Sequence, residues 1–146
     1  KRRVRGILRG LDLQNSWTWF HFTFSDYSNG EISYSGNQLT GVPELVTVSS
    51  LKLFFPKGFQ LFLSYNYTER IPLNDSNTEF AASYQLFGSK LSWEWTRKRL
   101  GIQVFFAVDN ILDESYSLGN DLNAVGGRYY NPAPGRNYSI GLQVKI

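Results

Sequence analysis

The chain has 146 residues, no Cys, one His and a formal charge of +3. The absence of Cys excludes a disulfide framework and a thiolate metal site, and a single His leaves almost no room for a zinc site or a His-based triad, so neither a cofactor nor an enzyme is expected. The charge is too small to imply nucleic acid, and no apolar run reaches the roughly eighteen residues of a transmembrane helix.

Aromatic residues make up 16% of the chain, mostly Phe and Tyr, which suit strands and interfacial belts. The basic start Lys1, Arg2 and Arg3 is not followed by an apolar core and cleavage site, so it does not read as a signal peptide. Arg5 to Leu13 reads as a first strand, with Gln14, Asn15 and Ser16 as a short turn. Trp17 to Ser25 follows as a strand with Phe20, Phe22 and Phe24 on one face. Asp26 to Glu44 is a long connection containing Asn29-Gly30, Gly36-Asn37 and Gly41.

Leu45 to Phe55 is the third strand, and Pro56-Lys57-Gly58 a tight turn. In the strand Phe59 to Thr68, Phe59, Leu61, Leu63, Tyr65 and Tyr67 alternate with Gln60, Phe62, Ser64, Asn66 and Thr68. A second long connection runs from Glu69 to Ala82. Tyr84 to Trp95 is a strand, Thr96 to Arg99 a turn, and Leu100 to Val108 a strand whose Ile102, Val104, Phe106 and Val108 share a face. The longest connection, Asp109 to Arg136, is rich in Gly, Asn, Pro and Tyr.

The clearest segment is the last, Asn137 to Ile146. Tyr138, Ile140, Leu142, Val144 and Ile146 alternate without a break with Asn137, Ser139, Gly141, Gln143 and Lys145. About ten residues is what a tilted strand needs to cross a bilayer. The expectation is a membrane strand whose apolar row faces lipid and whose polar row faces a wet interior. Phe59, Leu61, Leu63, Tyr65, Ile102, Val104 and Phe106 take the same lipid-facing role on their strands.

Seven strands are thus expected, joined by connections that go short, long, short, long, short, long. Meandering outer-membrane barrels show this asymmetry, with tight turns on one side and long loops on the other. Ten of the twelve acids fall in the long connections, whereas Lys57, Arg97, Lys98 and Arg99 sit in short turns. Lys52, Lys90, Glu94 and Lys145 fall opposite the large apolar residues, as a solvated lumen requires. Tyr65 and Tyr67 enter a long loop, and Trp93 and Trp95 enter a short turn, which is the placement of two aromatic belts. The fold class expected is an all-β antiparallel meander forming the C-terminal part of a transmembrane β-barrel. Aromatic packing in a soluble, sugar-binding β-sandwich is the competing reading, and a passive porin or adhesion barrel is another.

The ending GRYYNPAPGRNYSIGLQVKI (Gly127 to Ile146), preceded by VDNILDESY (Val108 to Tyr116), resembles the C-terminal end of TonB-dependent outer-membrane receptors. The stretch from Thr40 to Asp75 is similar to strand pairs just upstream in that family. The resemblance implies a barrel of about 22 strands with a plugged lumen. It implies TonB-energised import of a scarce ligand such as a ferric siderophore, haem or cobalamin. The implied partners are outer-membrane lipid and lipopolysaccharide, the rest of the barrel and its plug, and TonB itself. It also implies that the terminal strand is read by the barrel-assembly machinery through Tyr138, Gly141, Leu142, Val144 and Ile146, with Ile146 where the family most often has Phe. An odd strand count would start the chain outside the cell, and an open sheet cannot leave its edges bare in lipid, so a longer barrel is expected.

The long final connection is the best place for ligand contact. Arg128 and Arg136 are suited to hold an anionic siderophore or a lipopolysaccharide phosphate, and Tyr129 and Tyr130 offer flat faces. Anchoring of the loop to the barrel rim is the competing role for these four residues. His21 reads as an interfacial side chain without a chemical task. The runs Asn74-Asp75-Ser76-Asn77 and Gly119-Asn120-Asp121-Leu122-Asn123 carry oxygen ligands without the spacing of a calcium loop.

Overall fold

A computed structural model describes residues 7–146. The expected Lys1 to Arg3 start and the Arg5 end of the first strand lie outside the described residues. The strands are β1 (Gly10–Trp19), β2 (Ser28–Asn29), β3 (Ile32–Ser33), β4 (Leu45–Phe54), β5 (Phe59–Thr68), β6 (Ile71–Pro72), β7 (Phe80–Ala81), β8 (Tyr84–Arg97), β9 (Leu100–Asp109) and β10 (Asn137–Lys145). Six of them form one sheet in the order β1-β4-β5-β8-β9-β10, every neighbouring pair antiparallel. The two-residue strands make separate small hairpins, β2-β3 and β6-β7, inside the long connections.

One expectation is corrected at the start of the sheet. Gln14, Asn15 and Ser16 do not turn; they lie within β1, and the two strands expected over 5–25 are one. Turn-forming residues stay extended here because they have partners across the ladder: Asn15 sits opposite Ser49 and donates its amide N–H to the Ser49 hydroxyl at 2.8 Å. Phe20, Phe22 and Phe24 consequently lie beyond the strand, in a looser ladder where Phe20 N–H bonds the Glu44 carbonyl and Phe24 N–H the Asn37 carbonyl. The main sheet therefore has six strands rather than seven. An even number places the beginning of β1 at the short-turn end of the sheet, where β10 also finishes, not at the long-loop end.

The registers divide the sheet into two unlike faces. On one lie Leu11, Leu13, Trp17 and Trp19 of β1, opposite or continuous with Leu45, Leu51 and Leu53 of β4. The same face carries Phe59, Leu61, Leu63, Tyr65 and Tyr67 of β5, and Phe87, Leu91, Trp93 and Trp95 of β8. It continues through Leu100, Ile102, Val104, Phe106 and Val108 of β9 to Tyr138, Ile140, Leu142 and Val144 of β10. The other face carries Asp12, Lys52, Lys90, Glu94, Gln103, Asp109, Gln143 and Lys145, with Phe62 and Phe105 among them. The Lys90 ammonium lies 4.1 Å from the Phe105 ring centre, so one of the aromatic rings there is capped by charge.

The apolar face is not a folded core. Ile140 is 79% exposed, Leu142 68% and Trp17 75%, and the sheet does not curl to bring Leu61, Leu63, Val104, Phe106, Leu142 and Val144 together in a dry centre. Five inter-strand gaps of about 4.8 Å and strands of about nine residues at about 3.3 Å give a face of roughly 700 Å². That exceeds the largest apolar patch of an ordinary soluble monomer, about 300–600 Å², before any side-chain relief is counted.

The apolar band crosses the strands obliquely. A single pairing row joins Tyr138 through Val108, Ser89, Leu63 and Leu51 to Leu13. Tyr138 stands at the long-loop end of β10, whereas Leu13 stands near the short-turn end of β1. The row through Leu142, Val104 and Trp93 has already reached Phe59, the first residue of β5. Strands tilted against the band in this way are what a closed barrel demands.

The short turns are sharp. Between β4 and β5, Gly58 has φ +83° and a Cβ there would run into the Glu94 carbonyl, so only glycine fits. The indole N–H of Trp93 donates to the Lys57 carbonyl at 3.1 Å and pins this turn to β8. Between β8 and β9, Lys98 alone takes the left-handed conformation, with φ +54°.

Candidate functional site

The deepest burial lies in the long connections rather than in the sheet. Leu73 is fully buried, with Pro72 and Ala81 beside it in the β6-β7 segment. Around this small core the three connections 20–44, 69–83 and 110–136 are knitted together. Gly41 N–H bonds the Pro72 carbonyl, and Asn123 N–H bonds the Leu73 carbonyl, both at 2.8 Å.

Asp75 is the polar centre of the knot. Thr40 donates its hydroxyl to one carboxylate oxygen at 2.5 Å, Tyr27 donates to the other at 3.2 Å, and the Asp75 N–H bonds the Asn123 side-chain oxygen at 3.0 Å. The Thr40 hydroxyl above all, against a smaller opposing effect of burial, holds the Asp75 carboxyl below its ordinary range. Its negative charge pushes the Tyr27 phenol up in turn. Asn77, left-handed at φ +53°, exchanges hydrogen bonds with the backbone of Gln38. In the run Asn74 to Asn77, considered above for cation binding, Asp75 and Asn77 thus spend their side-chain oxygens on the 20–44 connection, and Asn74 and Ser76 spend theirs on Thr78 and Glu79 of their own.

The connection 110–136 has its own scaffold. Asn110 is buried and exchanges side-chain bonds with the Glu114 backbone at 2.9 Å. Arg136 closes the base: its backbone N–H reaches the Asp113 carboxylate at 2.8 Å and its guanidinium Nε the Ile111 carbonyl at 2.8 Å. Further out, Asn131 bonds Ser117 and the Gly119 carbonyl. Of the four ligand candidates, Arg136 is therefore engaged in holding the loop, and Arg128 is exposed beside the turn Val125–Gly127. Tyr129 meets Tyr130 edge-on with ring centres 6.5 Å apart, and Tyr130 donates its hydroxyl to the Phe80 carbonyl at 3.2 Å.

Tyr130 also borders a cleft of about 300 Å³ with Tyr84, Tyr116, Ala81, Ala82 and Asn120. Tyr84 opens β8 on the polar face of the sheet, opposite Thr68, so the cleft stands at the long-loop end of that face. The rings of Tyr84 and Tyr116 are 4.9 Å apart and tilted by 32°. Tyr84, Tyr116 and Asn120 were not singled out by sequence reasoning. Tyr84 lies far before the other two in the chain, and the segments holding Tyr116 (VDNILDESY) and Asn120 (Gly119 to Asn123) drew notice for other reasons.

On the terminal strand, Tyr138, Leu142 and Val144 lie on the apolar face of β10, and Ile146 follows it fully exposed. Gly141 lies on the opposite face beneath Phe105, whose ring would collide with any Cβ at that position. Phe59, Leu61, Leu63, Tyr65, Ile102, Val104 and Phe106 all share the apolar face with them.

Residues 5–111 match the family described as TonB dependent receptor-like, beta-barrel. The match takes in β1 to β9, and β10 extends the same ladder by pairing with β9 along its whole length. With most of its residues matched and its sheet tilted as a barrel wall, the chain belongs to the TonB-dependent receptor β-barrel family, a family of bacterial outer-membrane transporters.

Proposed function

We propose that this chain forms part of the wall and three outward loops of a receptor that imports a bulky, scarce ligand, of which a ferric siderophore is one class, with energy delivered through TonB. The observation that carries the reading is the division of the sheet into an apolar face and a charged one. The apolar face meets acyl chains, and the polar face lines the interior. Among the described residues β1 and β10 each have one free edge, and such edges are not tolerated in hydrocarbon, so further strands close the barrel around a plug of the kind this reading requires. The loops, knotted through Asp75, stand among lipopolysaccharide, and the free edge of β10 with Tyr138, Gly141, Leu142, Val144 and Ile146 is what the assembly machinery reads.

The test is uptake by a Gram-negative host expressing the receptor, with ferric siderophores offered singly as the iron source. Active import predicts uptake that a protonophore or loss of TonB abolishes. Uptake indifferent to both would make the barrel a passive pore.

A further inference from the structure

Charge divides unevenly between the two ends of the sheet. Ten of the twelve acids lie in or at the mouths of the long connections, whereas the short β4–β5 and β8–β9 turns carry Lys57, Arg97, Lys98 and Arg99 and no acid. Asp12 and Glu94, the acids that β1 and β8 bring near the short-turn end, both stand on the polar face. Just inside these turns the apolar face is hollowed by a groove of about 390 Å³ among Phe59, Leu91, Trp93, Val104, Phe106 and Ile140. Val104 pairs with Trp93 on one side and Leu142 on the other, and its short side chain leaves room between larger ones. The bond from the Trp93 indole to the Lys57 carbonyl ties the wall of the groove to the β4–β5 turn. Period two then puts Trp95 and Arg97 beyond Trp93 on the same face, Arg97 about 13 Å along the strand. Arg97, Lys57 and Lys98 are all exposed. Arg99 lines a separate hollow on the polar face with Glu94 and Lys145 and is no part of this rim. From the groove outward the order is aliphatic, indole, cation, which is the order of acyl chain, interface and phosphate in a lipid leaflet.

We infer that this groove and its basic rim seat an anionic glycerophospholipid of the inner leaflet, such as phosphatidylglycerol, with one acyl chain along Val104 and the phosphate held by Arg97, Lys57 and Lys98 adding positive charge from the turns. An apolar strand face alone accepts any acyl chain, so the cations are what distinguish one headgroup from another. A guanidinium also matches the phosphate oxygens two at a time. Lipopolysaccharide carries phosphates too, but it lies in the leaflet beside the long loops, at the other end of the sheet. The inference rests on the transport reading only for which end of the sheet is periplasmic.

The test is native mass spectrometry of the intact receptor in detergent micelles supplied with equal amounts of phosphatidylglycerol and phosphatidylethanolamine bearing the same acyl chains. Phosphatidylglycerol is expected to be retained over phosphatidylethanolamine by about tenfold or more, since each cation at a lipid surface contributes about fivefold. Lipopolysaccharide added afterwards should not displace it. Arg97→Gln combined with Lys57→Asn and Lys98→Asn should bring the two phospholipids to parity, asparagine being tolerated at these two left-handed positions. Val104→Phe, which fills the groove, should lower retention of both phospholipids, and Lys52→Gln, on the polar face, should change neither. Parity in the native receptor, displacement by lipopolysaccharide, or a preference that survives the triple substitution overturns the inference. Lipid retention needs neither TonB nor a transported ligand, so passive uptake would refute the import reading while leaving this site standing.

Discussion

At the residue scale, single atoms decide where the backbone goes. Asp75 has its carboxyl held below the ordinary range mainly by the Thr40 hydroxyl. A depressed carboxylate contributes stability that is full above its unfolded pKa and is lost as pH falls through the folded one. The loops should therefore resist protease at neutral pH and be cut faster as the medium is taken below the usual carboxylate range. Thr40→Val should bring that onset to higher pH, with a loss below about 1 kcal/mol because the pair is only part-buried and solvent still screens it. Digestion rates read against pH, with unchanged strand content by circular dichroism, check both statements. Gly58→Ala is expected to be harsher. A left-handed L-residue costs about 1–2 kcal/mol, and here the new Cβ also meets the Glu94 carbonyl. Fewer molecules should reach the heat-modifiable folded form on gels, whereas Gly30→Ala, where nothing stands nearby, should show only the conformational cost.

At the scale of elements, the alternation of β10 was legible because a strand between two solvents must sort its side chains by period two. The tight turn at Pro56 to Gly58 was legible for the same local reason. The break expected at Gln14 to Ser16 was not real, since the partner that keeps Asn15 extended is Ser49, thirty-four residues away. Turn propensity reports what a residue does alone, and a ladder overrides it. The loop knot was invisible for a related reason: Thr40, Asp75 and Asn123 look like ordinary solvated residues until the fold brings them together. Depth within the sheet makes a further prediction. Leu142→Arg should cost about 2–4 kcal/mol of folding into lipid bilayers if it lies near the midplane, while Gln143→Arg, on the other face, should cost little. Urea titrations of the receptor folded in vesicles measure the difference.

At the scale of the molecule, the sheet makes sense only as part of a wall. Its pairing rows slope across the apolar band, its two edges are open among the described residues, and the deepest burial lies in the loops beside it. The seven strands expected became six, and this reversed the side from which β1 enters while leaving intact the alternation of short turns and long loops. The native chain has no Cys, so single cysteines can be placed at each position from 138 to 145 without background. Reaction with an aqueous thiol reagent and quenching of an attached fluorophore by brominated lipid then read the environment of each side chain in the intact receptor. Lipid quenching is expected at 138, 140, 142 and 144, and aqueous reactivity at 139, 141, 143 and 145. Equal aqueous reactivity in both rows, or quenching without alternation, would contradict the division of the sheet into two unlike faces.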